Sequence, residues 1–99
     1  MASSIEMDAN EQWYIDSLKD SSAPESDQFN SIEVLEVLLS LDAIPILVQV
    51  LSDETRSFAL RRRAAEAIHA FAADIARDAL IQLGNSESKI IRELARVAM

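Results

Sequence analysis

The chain has 99 residues, 49% of them hydrophobic and 26% charged, which suits one small domain with a real core. It has no cysteine, which excludes disulfides and thiolate metal sites, and only one Gly and two Pro, which favours long helices over tight turns. Its net charge of −8 is uneven: residues 1–54 hold twelve acids and one base, residues 55–99 eight bases and five acids, or −11 against +3. That asymmetry suits either electrostatic steering of a partner or neutralisation of one half by the other.

No apolar run approaches the roughly 18–20 residues of a membrane span. The N-terminal residues Met1 to Asp8 contain acids and no apolar stretch, so no secretory signal is expected there and a cytoplasmic location is. Residues 1–8 lack periodicity and are expected to be disordered. Asn10 is a candidate cap for a short helix reaching about Asp20, with Glu11 in its first turn and Trp13, Tyr14, Ile15 and Leu18 as its apolar side. Ser21 to Gln28 is small, polar and broken by Pro24, and reads as a linker. The organisation that follows is an acidic N-terminal segment, 1–28, with one short helix and a linker, and a helical domain, 29–99.

A second helix is expected from about Ser31, capped by Asn30 or Ser31, to Leu41–Asp42, with Ile32, Leu35, Leu38 and Leu39 at helical spacing. Pro45 then suits the first turn of a third helix ending near Ser52. Ile44, Ile46, Leu47, Val48, Val50 and Leu51 make it apolar nearly all round, so it must be sandwiched between neighbours. After a turn at 53–57, a fourth helix to about Ala73 carries a core stripe of Leu60, Ala64, Ala67, Ile68 and Phe71. A fifth spans about Ile75 to Leu83 and stops at Gly84–Asn85; a sixth starts after Ser86, with Glu87 near its N-terminus, and runs to the end.

The third and fourth helices recur as the fifth and sixth. Val48-Gln49-Val50 matches Ile81-Gln82-Leu83, and Leu60-Arg61, Ala64 and Ala67 match Ile91-Arg92, Ala95 and Ala98. Repeated helix pairs imply a stacked solenoid, a class that binds other proteins. Ala43 to Leu51 is similar to the second helix of an armadillo repeat, and Leu60 to Ile68 to the second helix of a HEAT repeat. The chain thus resembles the HEAT/armadillo superfamily over about 43–99. The resemblance implies an all-α superhelix of about five or six helices, with helix 31–41 as the end of a degenerate preceding repeat and the Trp13 helix as a cap. It also implies a ladder of turn aspartates and helix-opening arginines, matched by Asp53 and Arg61; in the second copy Arg92 is kept but Ser86 replaces the Asp.

On that fold the inner surface would be carried by Arg62, Glu66, His69 and Ala73, with Glu93 and Val97 beside them, contacting another protein. His69 has no His or Cys companion, so no metal site is expected. No base stands beside a nucleophile and no Gly-rich loop exists, so neither catalysis nor a cofactor is expected. The run Arg61-Arg62-Arg63 fans out at about 100° per residue, and nucleic-acid binding through the basic half is the weaker alternative. Another, implied by the resemblance, is an accessory factor like the HEAT-repeat proteins that attach or remove bilins on phycobiliproteins. The apolar surface from Ile90 to Met99, if self-buried, would give a homodimer through the C-terminal helix.

Overall fold

Helix-forming residues unbroken by Gly or Pro occupy most of this chain, and the computed structural model is helical almost throughout. It describes residues 2–71 and 74–98, with side chains described at 11–71 and 74–97. Among these residues the helices are α1 (Ala2–Lys19), α2 (Glu25–Leu38), α3 (Ile44–Ser52), α4 (Phe58–Ala70), α5 (Asp74–Leu83) and α6 (Lys89–Ala98), and there is no strand. A single 3₁₀ turn, Leu41–Ala43, leads into α3.

The helices pair in chain order, α1 with α2, α3 with α4 and α5 with α6, while α4 also touches α2 and α6 and α1 touches α3. Glu25 of α2 meets Ser57 at the start of α4, and Glu36 near the end of α2 meets Arg63. The pairs ascend together, so α2 and α4 run parallel. The smallest extent of the molecule is 15 Å. Two helix layers with axes roughly 8–10 Å apart and backbone radii of about 2.3 Å fill that thickness.

One apolar cluster runs through all three pairs, from Ile15 and Leu18 on α1 to Leu94 and Ala95 on α6. Ile44, Ile46, Leu47, Val50 and Leu51 are all buried, as expected of a helix held between neighbours. The expected α4 stripe of Leu60, Ala64, Ala67, Ile68 and Phe71 is likewise buried. Ser31, Ala64 and Ala95 stand at corresponding places on α2, α4 and α6, and all three are buried. Side chains this small let helices approach closely, although the Ser31 hydroxyl has no partner there.

The N-terminal expectations need three corrections. The backbone is helical from Ala2, not from Asn10, because nothing in 2–9 breaks a helix begun downstream. The stretch 21–28 is a turn plus the first turn of α2, which starts at Glu25 behind Pro24, with Glu25 and Asp27 favourably placed at its positive end. Ser31 is therefore not a cap but a buried mid-helix residue. At the other end α2 stops at Leu38, short of Leu41–Asp42.

That stop has an unusual residue in it. The N–H of Leu39 donates to the Glu36 carbonyl and that of Ser40 to the Leu35 carbonyl, which makes a Schellman closure. The closure requires a left-handed residue, usually glycine, and here Leu39 adopts φ 51°. The Ser40 hydroxyl and the Glu11 carboxylate on α1 are hydrogen-bonded, tying this corner down. A left-handed leucine costs about 1–2 kcal/mol, and Leu39 is 60% exposed, so its side chain returns little of that by burial. Leu39→Gly is expected to raise unfolding free energy by about 1 kcal/mol in urea titration, whereas Leu39→Ala, still strained, should not.

Candidate interaction face

Each helix pair turns through the same local chemistry. The Asp20 carboxylate accepts from the Ser22 N–H and hydroxyl, and the Asp53 carboxylate accepts from the Thr55 N–H and hydroxyl. The Ser86 hydroxyl accepts from the Ser88 N–H. These three acceptors stand 33 residues apart along the chain. Eight residues after Asp20 and Asp53, and six after Ser86, a long polar side chain near the start of the second helix reaches back to the turn or, for Arg61, to the end of the first helix. Gln28 donates to the Ala23 carbonyl at 2.8 Å, Arg61 Nε to the Leu51 carbonyl at 2.8 Å, and Arg92 to the Ser86 and Glu87 carbonyls at 2.9 and 3.0 Å. Every one of the three is the fourth residue of its helix.

The turn pattern therefore occurs in three helix pairs, and α1–α2 is the first of them. Sequence comparison missed it because Gln28 replaces the arginine and because Ser, Pro and acids in 21–28 look like a linker. The detectable signal was the trio Asp20, Asp53 and Ser86 at a constant interval.

The expected aspartate–arginine ladder takes another form. Asp53 pairs with Arg56 at 3.0 Å, not with Arg61, whose Nε serves the Leu51 carbonyl at the end of α3. Arg92 likewise binds backbone carbonyls. The arginines hold the turns from within each pair. The Arg56 guanidinium also donates to the Gln28 side-chain carbonyl, which links the second turn to the first helix pair.

The Thr55 hydroxyl and N–H, helped by Arg56, hold the Asp53 carboxyl down to about 2. Ser22 lowers Asp20 in the same way.

The arginine run divides three ways. Arg61 is buried against backbone, Arg62 faces Glu66 at 3.8 Å, and Arg63 crosses to Glu36. Three neighbouring cations thus have three different surroundings, as their helical spacing requires.

Of the residues expected to meet a partner, Arg62, Glu66 and His69 are exposed on α4, and Glu93 and Val97 on α6. Ala73 lies outside the described residues. On α6, Ile91, Leu94 and Ala95 are buried, which leaves Ile90 and Val97, two turns apart, as the apolar part of its outer side. Glu93 pairs with Arg96 at 3.7 Å. A recess of about 290 Å³ lies elsewhere, between α1 and α3, lined by Gln12, Lys19, Asp42 and Gln49 with apolar walls. Its amides and its one acid and one base present no nucleophile beside a base.

The described residues contain no group of three or more His, Cys, Asp or Glu able to hold a metal ion, and no helix long and apolar enough to cross a membrane. What the fold defines is an all-helical protein of three similar helix pairs. No protein-family model matches the chain, and no curated protein matches it significantly.

Two outcomes follow from the turns. Arg61→Leu leaves the Leu51 carbonyl unpaired and should cost about 1–3 kcal/mol in urea unfolding. Arg61→Gln, the residue used in the first pair, should cost clearly less. Because the Asp53 carboxyl is depressed from 3.8 to about 2, its contribution to stability is complete above about pH 4 and is lost as pH falls towards 2. The stability gap between the native chain and Asp53→Asn should shrink across that window, read by thermal melts at successive pH values.

Proposed function

We propose that this chain is a small non-catalytic protein-interaction module, an adaptor or scaffold, and that its three helix pairs stack as a HEAT-like superhelix. The observation that carries the reading is the threefold turn chemistry at near-constant interval, joined to a parallel arrangement of α2 and α4. Stacked repeats of this kind present one long surface made of successive second helices, and that surface serves recognition. Arg62, Glu66 and His69 on α4 and Glu93 and Val97 on α6 supply it with both charge signs, an imidazole and an aliphatic contact.

The mixed signs favour a protein over a nucleic acid, since phosphate binding needs a surplus of unpaired cations. The bilin-handling alternative draws no specific support from the residues of this face. A second copy is the first partner to consider, because Ile90 and Val97 give α6 an apolar outer edge that a twofold contact would cover.

Val97→Glu, with its side chain 68% exposed in the native chain, should leave the melting temperature within a few degrees and shift any dimer towards monomer in sedimentation velocity. Proteins retained by immobilised native chain should be lost from an Arg62→Ala, His69→Ala, Val97→Glu variant of equal stability. Identical retention by both would remove the face from consideration, and a monomeric native chain at high concentration would assign it to a foreign protein.

A further inference from the structure

The chain's net charge is confined to one helix pair. Residues 2–38 hold nine acids and one base, while residues 39–73 and 74–98 each hold four acids and four bases. The whole −8 therefore belongs to α1–α2. This pair and its exit also carry much of the exposed apolar surface: Val37 is 76% exposed, and Leu38, Leu39 and Leu41 are exposed beside it. A highly charged helix pair would be better solvated with polar residues at these places. The corresponding part of α4 ends in Ala70 and a buried Phe71.

The geometry keeps this ledge outside the fold. The left-handed backbone at Leu39 turns the chain sharply at the end of α2, and the bond between Ser40 and Glu11 fixes the corner while its flanking leucines stay in solvent. Glu33 stands one turn before Val37, and Asp42 follows Leu41; both are exposed. Neither is in an ion pair among the described residues, unlike Glu36, which Arg63 occupies. The exposed Val37, Leu39 and Leu41 are thus accompanied by two exposed acids, Glu33 inside the pair that carries −8 and Asp42 just after it.

We propose that this corner is a docking site for a basic amphipathic helix of another protein. The helix would lay its apolar stripe on Val37, Leu39 and Leu41 and its cations against Glu33 and Asp42. The partner's chemistry follows from the site: aliphatic contacts give the affinity, and the local charge selects cations and repels acidic helices. The inference rests on the reading of the chain as an interaction module and adds the end of α2 and the corner after it to the residues argued for α4 and α6.

The test uses a labelled synthetic helix with leucine at i, i+3, i+4 and i+7 and lysine elsewhere, followed by fluorescence anisotropy. It should bind the full native chain saturably and more weakly as salt is added. Val37→Ser combined with Leu39→Gly should weaken binding about tenfold or more, because truncating anchors in a small interface removes most of its affinity. The glycine favours the fold, so the melting temperature should hold; if it falls, Leu41→Ser serves in place of the pair. His69→Ala with Val97→Ser should bind as the native chain does. Absence of saturable binding would overturn the proposal, and so would equal affinity for the same helix with glutamate in place of lysine. Loss of binding confined to the His69/Val97 variant would also overturn it, while leaving the interaction-module reading intact. Binding at the ledge by a chain whose α4–α6 face retains no partner would separate the two readings in the other direction.

Discussion

The rest of this structure depends on a side chain reaching backward from the first turn of a helix to a carbonyl in the preceding turn or at the end of the preceding helix. Gln28, Arg61 and Arg92 each do this from the same helical position, and the Arg61 bond to the Leu51 carbonyl is buried. A helix end exposes unpaired backbone groups, and burying them unpaired costs more than the bond itself returns. The bond allows the two helices of a pair to fold back tightly, which in turn lets Leu18 and Leu51 be fully buried at the ends of α1 and α3. Stacking follows from pairing, since α2, α4 and α6 can only form a row if each is held at a similar angle to its partner. The small residues Ser31, Ala64 and Ala95 complete the condition by letting those helices close.

Glutamine and arginine share this position for a physical reason. Both place an N–H donor several bonds from the backbone, and either can satisfy a carbonyl. The buried Arg61 brings a full charge with it, and one of its terminal nitrogens has no partner. Gln28 meets the same need without that charge, and its own carbonyl accepts from Arg56 of the next turn. The first pair is thereby joined to the second through a polar network as well as through apolar packing.

Net charge, but not exposed apolar surface, separates the first helix pair from the third. The first pair carries the net charge and an exposed leucine corner, whereas the third is neutral and keeps Ile90 and Val97 as its exposed edge. A charge imbalance of this size in a small protein shapes which molecules approach and from where, more than it shapes the fold.

Composition and periodicity alone determined that this chain is helical, where α3 to α6 lie within a few residues, and which face of α4 is buried. Apolar spacing is set by the helix repeat, so Leu60, Ala64 and Ile68 were legible directly. The exposure of Arg62, Glu66 and His69 followed from the same repeat. The beginning of α2 was not legible, because Pro24 and two acids in the first turn outweighed Ser31 as a start signal, and their effect depends on Gln28 finding carbonyls in a folded turn. The partners of Asp53 and Arg61 were not legible either: both lie near one turn, and only the path of the backbone decides that the carboxylate meets Arg56 and the guanidinium a carbonyl. The left-handed Leu39 is the plainest case. Nothing in a leucine announces positive φ, and that conformation exists because the packing of α1, α2 and α3 around Ser40 demands a sharp corner there. Local spacing belongs to the sequence; the choice among neighbouring polar partners, and the strain tolerated at a corner, belong to the tertiary structure, because both depend on atoms far away in the chain.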